Sequence, residues 1–202
     1  MIRHQAGSGR TRHISWSLRR TERGATLVEM ALVLPILLLI IIGITEIGLY
    51  FKNYLTVSYA SREGALVAAF VGDSLDADCQ ILVAVGGLLG SANLEHLQKV
   101  EIFVADQDGT QTFGKTNTAT LKNGGDPTAC TEPAAPSDGW FRTTNYPAIN
   151  RNVTVAVDEP PLDIVGVRIY FTHNWATGFP PFSGQANIDD SNINRVEPEA
   201  FE

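Results

Sequence analysis

The feature that most constrains this chain is an apolar run near its N-terminus. Met30–Thr45 contains no charged side chain, and the wider stretch Ala25–Phe51 contains only two, Glu29 and Glu46. About 20 mostly apolar residues cross a hydrocarbon core roughly 30 Å thick. On a helix the two carboxylates lie roughly 25 Å apart along the axis, which places one near each face of a bilayer. The run therefore predicts a transmembrane helix over residues 25–51.

Charge is distributed unevenly on the two sides of this run. The chain of 202 residues has a formal net charge of −7, and residues 1–24 hold six Arg and one Glu, a net of +5. The remainder therefore carries −12. Basic residues beside an apolar span stay in the cytoplasm, so we expect residues 1–24 to be a cytoplasmic leader and the chain beyond Lys52 to be exported. An acidic exported part argues against nucleic-acid binding, which requires a basic face.

Glu29 needs an explanation, because an acidic side chain within an inserting helix is unfavourable by about 3 kcal/mol. Cleavage between Gly24 and Ala25 would create an α-amino group four residues before Glu29, one helical turn away. That amine, or the amine of a neighbouring copy, would neutralise the carboxylate. An ordinary secretory signal instead has its cleavage site after the apolar core. An uncut signal anchor with an exported binding or structural domain is the alternative.

The helical pattern continues beyond the apolar run, so residues 52–72 are predicted to extend the helix outside the membrane. Ala60, Gly64 and Ala68 recur every four residues and form a narrow strip of small side chains. Such a strip allows another element to approach the helix backbone closely. That element is either the chain's own domain or another subunit.

Residues 73–202 are predicted to form an exported α+β domain with a second helix and a small antiparallel sheet. A helix is expected from about Asp76 to Leu89, with the acidic group Asp73, Asp76 and Asp78 at a solvated helix start. Residues 115–150 are expected to form a long loop rich in Thr, Asn, Gly and Pro. The aromatic turn Trp175–Phe182 is expected either to lie on the membrane surface or to pack under a loop. Alternating or β-branched stretches predict strands at Val100–Val104, Thr110–Phe113, Asn152–Val157, Val165–Thr172 and Asn192–Val196.

The two cysteines, Cys79 and Cys130, both lie in the predicted exported part. Outside the cytoplasm such a pair is more often a disulfide than a metal or redox site; two buried thiols that never meet are the alternative. No HExxH or GxSxG motif occurs. We therefore expect no catalytic residue, no metal and no cofactor, and an anchored hydrolase stands only as a third hypothesis.

The basic leader, Gly24, Ala25, Glu29 and the apolar helix resemble the processing site of type IV pilins and pseudopilins. Over residues 20–70 the chain resembles more specifically the TadE-like family of the tight-adherence (Tad) pilus systems. The residues that carry this resemblance are Arg23-Gly24-Ala25, Leu27-Val28-Glu29, Ala31, Glu46, Tyr50 and Arg62-Glu63-Gly64-Ala65. It implies cleavage after Gly24 by a prepilin peptidase, subunit packing guided by Glu29 and a place in the bacterial cytoplasmic membrane. Its implied partners are the lipid bilayer, other pilins or pseudopilins and Tad assembly proteins.

Overall fold

A computed structural model describes residues 21–90, 94–155 and 161–198. These residues form two compact units, which meet in the sequence between Gly43 and Ile44. Together the two units contain a long apolar helix, a second helix and a five-stranded antiparallel sheet. The predicted α+β class is therefore confirmed.

Helix α1 runs from Thr21 to Val71 and contains Pro35. It ends at Gly72, whose φ of +54° is a left-handed conformation that glycine adopts without strain. Helix α2 covers Ala77–Leu89, close to the predicted bounds, and Asp76 precedes its first turn. By length and composition, α1 is able to cross a membrane.

The strands form one sheet in the order β3-β2-β1-β4-β5, and all neighbours are antiparallel. Asp108-Gly109 turns β1 back into β2, because Gly109 takes a φ of +86° and the Asp108 carboxylate accepts the N–H of Thr110. Strand β4, the strongest strand pattern of the sequence, lies inside the sheet. The bounds are β1 Leu97–Ala105, β2 Gln111–Leu121, β3 Trp140–Thr143, β4 Ile164–Asn174 and β5 Gln185–Arg195.

Two local predictions require correction. The expected loop at residues 115–150 contains the second half of β2 and all of β3, which pair with Thr118 opposite Thr143. Threonine is β-branched and fits a pleated strand. A Thr-rich segment is therefore able to form a strand when a partner strand lies beside it, as it does here. The strand expected at Asn152–Val157 is absent over residues 152–155. There the N–H of Asn152 is taken by the Asp163 carboxylate instead of a strand partner, and residues 156–157 lie outside the described chain.

The core of the larger unit lies between one face of the sheet and the two helices. Fully burying a large aliphatic side chain contributes about 1.5–3 kcal/mol, so this layer dominates the stability of the unit. The buried side chains that form it include Val57, Ile81, Leu82, Val85, Val100, Val165, Val167, Ile169 and Phe171.

Gly86 lets the loop between β2 and β3 pack directly on α2. A Cβ at Gly86 would lie 2.6 Å from Cβ and 2.8 Å from the carbonyl oxygen of Pro127, whereas a Cβ at the neighbouring Gly87 would meet nothing within 4 Å. The Pro127 carbonyl also accepts the indole N–H of Trp140 at 2.9 Å. The loop is thus held at a distance that only glycine permits.

We expect Gly86→Ala to lower the free energy of unfolding by about 1–3 kcal/mol, because the new methyl group overpacks against Pro127. Gly87→Ala is the matched control and should be neutral or stabilising by up to about 1 kcal/mol, the helix-propensity difference. Urea unfolding of the detergent-solubilised protein, followed by fluorescence of the buried Trp140, measures both. Equal destabilisation by the two variants would show that overpacking against Pro127 is not the reason why Gly86→Ala lowers stability.

Candidate functional site

The predicted processing residues lie in the smaller unit, on α1. Gly24, Ala25 and Glu29 are all exposed, and a Cβ at Gly24 would meet nothing within 4 Å. Residues 1–20, which make up most of the predicted leader, lie outside the described residues. Cleavage after Gly24 and the charge pairing of Glu29 stay predictions.

The strip of small residues on α1 faces the chain's own domain. Ala60 and Ala68 are fully buried, and a Cβ at Gly64 would lie 2.8 Å from a methyl of Val85 and 3.1 Å from a methyl of Val167. The strip therefore meets α2 and β4 of the same chain. The chain's own domain packs against this face, and packing of another subunit along α1 stays a prediction.

Next to the strip, α1 is joined to the edge strand β5 by polar contacts. The hydroxyl of Ser61 donates a 2.9 Å hydrogen bond to the Asp190 carboxylate, and the Asn192 amide donates one of 2.7 Å to the Ser61 oxygen. Ser61 is fully buried, so these bonds satisfy a polar group that the helix packing removes from water. They also fix which residues of β5 lie beside the helix.

Glu46 holds the loop that follows β4. Its side chain is 0 % exposed, and its carboxylate accepts the backbone N–H of Ala176 at 3.0 Å and that of Thr177 at 2.5 Å. The Thr177 hydroxyl donates a third hydrogen bond of 2.5 Å. Three donors aimed at one carboxylate satisfy a charge that burial would otherwise make costly. This acid therefore fastens residues 176–177 to α1.

Aromatic rings complete the same cluster. Tyr50 stacks on Trp175 with ring centroids 5.8 Å apart, and the His173 ring meets the edge of Trp175 at 4.8 Å. Asn53 reaches Nδ1 of His173 at 2.8 Å, while Nε2 is buried and has no hydrogen-bond partner among the described residues. Burial lowers the pKa of His173, and the Glu46 carboxylate opposes this only in part. The neutral imidazole is thus the favoured form.

Sequence reasoning found Glu46 but not its partners. We expected this carboxylate to mark a bilayer face, and the structure places it inside a loop-binding cluster. Two of its three donors are backbone N–H groups, which every residue but proline carries, so no side-chain pattern signals them. Ala176 and Thr177 lie 130 and 131 positions away in the chain.

Cys79 and Cys130 form a disulfide whose Cα atoms are 5.3 Å apart. Beside it, Arg142 donates hydrogen bonds to the Glu132 carboxylate at 2.6 Å and to the Asp138 carboxylate at 3.3 Å. Burial raises the pKa of Asp138, but hydrogen bonds from the Thr131 hydroxyl and the Ala135 N–H, together with Arg142, outweigh it. The pKa of Asp138 therefore lies below its usual value. The bond and these charges fasten the loop between β2 and β3 to α2.

A second buried network joins the start of α2 to the segment before β4. The Arg151 guanidinium pairs with the Asp78 carboxylate and donates a hydrogen bond of 3.2 Å to the Gly72 carbonyl. Asn117 donates to the same carboxylate at 2.7 Å, and its own oxygen accepts the N–H of Tyr146 at 2.8 Å. We expected Asp78 to belong to a solvated helix start. That expectation is wrong, because Arg151 comes from a distant segment to pair with it.

Over the described ranges, no group of three or more His, Cys, Asp or Glu side chains is placed to hold a metal ion. The polar clusters of the larger unit instead join segments to one another: the Glu46 cluster, the Cys79–Cys130 region and the Arg151 network. The arrangement is a folded domain packed on one face of the part of α1 that belongs to the larger unit.

The comparison with known protein families gives a match to one part of the chain. The family model described as TadE-like protein matches residues 24–66, which confirms the family resemblance found in the sequence. The matched range includes the Gly24 and Glu29 positions, the apolar run and the start of the buried strip. No curated protein and no solved structure shows significant similarity to this chain.

Proposed function

We propose that this chain, which carries the TadE-like segment at residues 24–66, is a membrane-anchored, pseudopilin-like component of a Tad pilus or secretion assembly. It acts by subunit packing rather than by catalysis, as expected of TadE-like pilus components, which are structural proteins. The observation that carries this proposal is the coincidence of the family match with one helix long and apolar enough to span a membrane.

The charge distribution supports an orientation in the bacterial cytoplasmic membrane. The leader of net charge +5 precedes the apolar run and the acidic remainder follows it, so the positive-inside rule favours a cytoplasmic N-terminus. The Cys79–Cys130 disulfide also suits residues that lie in an oxidising compartment outside the cytoplasm. Both observations favour a single-pass protein with its folded unit exported.

Processing by a prepilin peptidase is the first testable part of the proposal. We expect the protein extracted from its native membrane to begin at Ala25, as measured by mass spectrometry of the intact chain. Gly24→Ala should still permit cleavage, whereas Gly24→Glu should block it, because a bulky charged residue replaces the smallest one at the cut. A mature protein that retains residues 1–24 would contradict processing and favour the uncut signal anchor.

A second face of α1 is the surface that we propose for packing against other subunits. Phe51, Leu55, Tyr59, Leu66 and Phe70 follow one another at spacings of four or seven residues, which keeps them on one side of a helix. All five are exposed, and Tyr59 and Phe70 are 61 % and 69 % exposed. The opposite side of the same helix is buried against the sheet. An exposed apolar stripe of this kind typically marks an interaction surface.

We expect Glu29→Leu to leave membrane insertion intact but to reduce pilus formation, because the charge that guides packing is lost. Tyr59→Glu should also reduce pilus formation by placing a carboxylate in the stripe. Phe113→Glu is the matched control, since Phe113 is fully exposed on β2 and away from α1. Counting pili by electron microscopy in cells that express each variant at equal level measures the effect. Normal piliation with both Glu29→Leu and Tyr59→Glu would remove the packing role.

A further inference from the structure

The loop after β4 combines two properties: it carries no formal charge, and its tip is rich in aromatic residues and proline. The fifteen residues 174–188 contain no Asp, Glu, Lys or Arg. Five of the eight residues from Trp175 to Phe182 are aromatic or proline: Trp175, Phe179, Pro180, Pro181 and Phe182. Apolar residues in an exposed loop are unfavourable in water unless something covers them. The loop therefore needs a partner for its outer side.

The position of the loop indicates where that partner lies. Glu46 binds the N–H groups of Ala176 and Thr177, and Tyr50 stacks on Trp175. Glu46 is the first charged residue after the uncharged run Met30–Thr45. The base of the loop is thus fixed to the few residues of α1 at which the apolar run of the chain ends.

The outer side of the loop has the chemistry of a lipid-facing surface. Phe179 is 48 % exposed, and Pro180 and Pro181 are exposed beside it. Proline has no backbone N–H, so these two positions carry no donor that would lose its water on entering an apolar medium. On α1, Ile47, the residue after Glu46, is also exposed. Aromatic residues such as Trp175 and Tyr50 favour the boundary between lipid headgroups and acyl chains.

We propose that residues 175–182 form a second membrane contact, in which Phe179, Pro180 and Pro181 enter the headgroup boundary of the bilayer that α1 spans. This inference rests on the membrane anchor of the proposed function. The occupant is lipid because the loop is uncharged and is fastened at the end of the apolar run, the part of the folded unit that an anchored chain holds next to the bilayer. The contact would give the exported unit two attachments to the membrane surface, helix and loop.

The test uses full-length protein with the photocrosslinker p-benzoyl-phenylalanine in place of Phe179, reconstituted into phosphatidylethanolamine–phosphatidylglycerol vesicles. The control carries the same crosslinker at Phe113, an exposed Phe on β2, so that the lipophilicity of the probe is equal. After irradiation, mass spectrometry of the intact chain detects lipid adducts. We expect a several-fold higher adduct yield at position 179 than at position 113. Formation of the Cys79–Cys130 disulfide, seen as a mobility shift on reduction, checks that both variants fold.

Vesicle flotation separates failure of this inference from failure of the anchor. Protein that floats with vesicles but yields no more lipid adduct at position 179 than at position 113 would overturn the loop contact and leave the anchor in place. A crosslink from position 179 to a second copy of the chain would also overturn it, in favour of a protein interface. Protein that does not float would refute the anchor and, with it, the loop contact.

Discussion

Replacing Cys79 and Cys130 together by alanine should lower the free energy of unfolding by about 4 kcal/mol in the chain-entropy model. The two cysteines are 51 positions apart, so the bond closes a long loop in the unfolded chain and restricts it strongly. In the folded chain the bond joins α2 to the loop that carries Pro127 and Asp138. The lost stability should therefore appear first as opening of that loop.

Urea unfolding of the detergent-solubilised variant, followed by Trp140 fluorescence, measures the change. Wild-type protein in excess dithiothreitol is the matched control and should show the same loss, since it removes the same bond without a substitution. Limited proteolysis should cut the reduced protein between β2 and β3 before it cuts elsewhere. Unchanged stability on reduction, with both thiols alkylated in unreduced protein, would show that the bond does not form in the native protein.

Arg151→Ala should lower the free energy of unfolding by about 3–5 kcal/mol, because it leaves a partly buried carboxylate without its partner. The Arg151 side chain is 2 % exposed and that of Asp78 is 14 % exposed, so water does not readily replace the lost pair. The hydrogen bond from Arg151 to the Gly72 carbonyl is lost as well. The Gly72 carbonyl lies just after the end of α1, and Asp78 lies in the first turn of α2. The substitution therefore removes the contacts that join both helices to the segment before β4.

The matched control is Arg195→Ala, since Arg195 is exposed at the end of the edge strand β5 and should change stability by no more than about 0.5 kcal/mol. A double-mutant cycle with Asp78→Asn isolates the pair, because the asparagine amide keeps the size of the carboxylate and removes its charge. Strong coupling between the two positions is expected. Additive effects of Arg151→Ala and Asp78→Asn would show that the pair contributes little and that Arg151 acts through packing.

The elements of the fold were largely predictable because their signals are local. The end of α1 is marked by Gly72, and α2 by the apolar positions between Asp76 and Leu89. Val100–Val104 of β1 alternates like a strand, most residues of β4 are β-branched or aromatic, and Asp108-Gly109 specifies a turn. Such patterns depend on residues a few positions apart, so they are visible without the rest of the chain.

Other features depended on segments that are distant in sequence. The Thr-rich second half of β2 is a strand because it pairs with β1 and β3. Asn152 does not begin the predicted strand, because its N–H donates to the Asp163 carboxylate and not to a strand partner. Asp78 resembles a solvated helix start until Arg151 is placed beside it. In each case a long-range partner overrides a weak local preference.

The amino-acid sequence by itself determined the apolar helix long enough to span a membrane, the charge asymmetry on its two sides and the TadE-like segment, because hydrophobicity, charge and short motifs are properties of neighbouring residues. Only the tertiary structure decided which face of α1 is buried and which loop Glu46 holds. Glu46 binds the backbone N–H of Ala176, and Gly64 and Gly86 leave room for Val85 and Pro127. These contacts join residues that are distant in the sequence, so they can be identified only in the folded chain. The strip of small residues on α1 is visible in the sequence, whereas the elements that cover it became visible only in the folded unit.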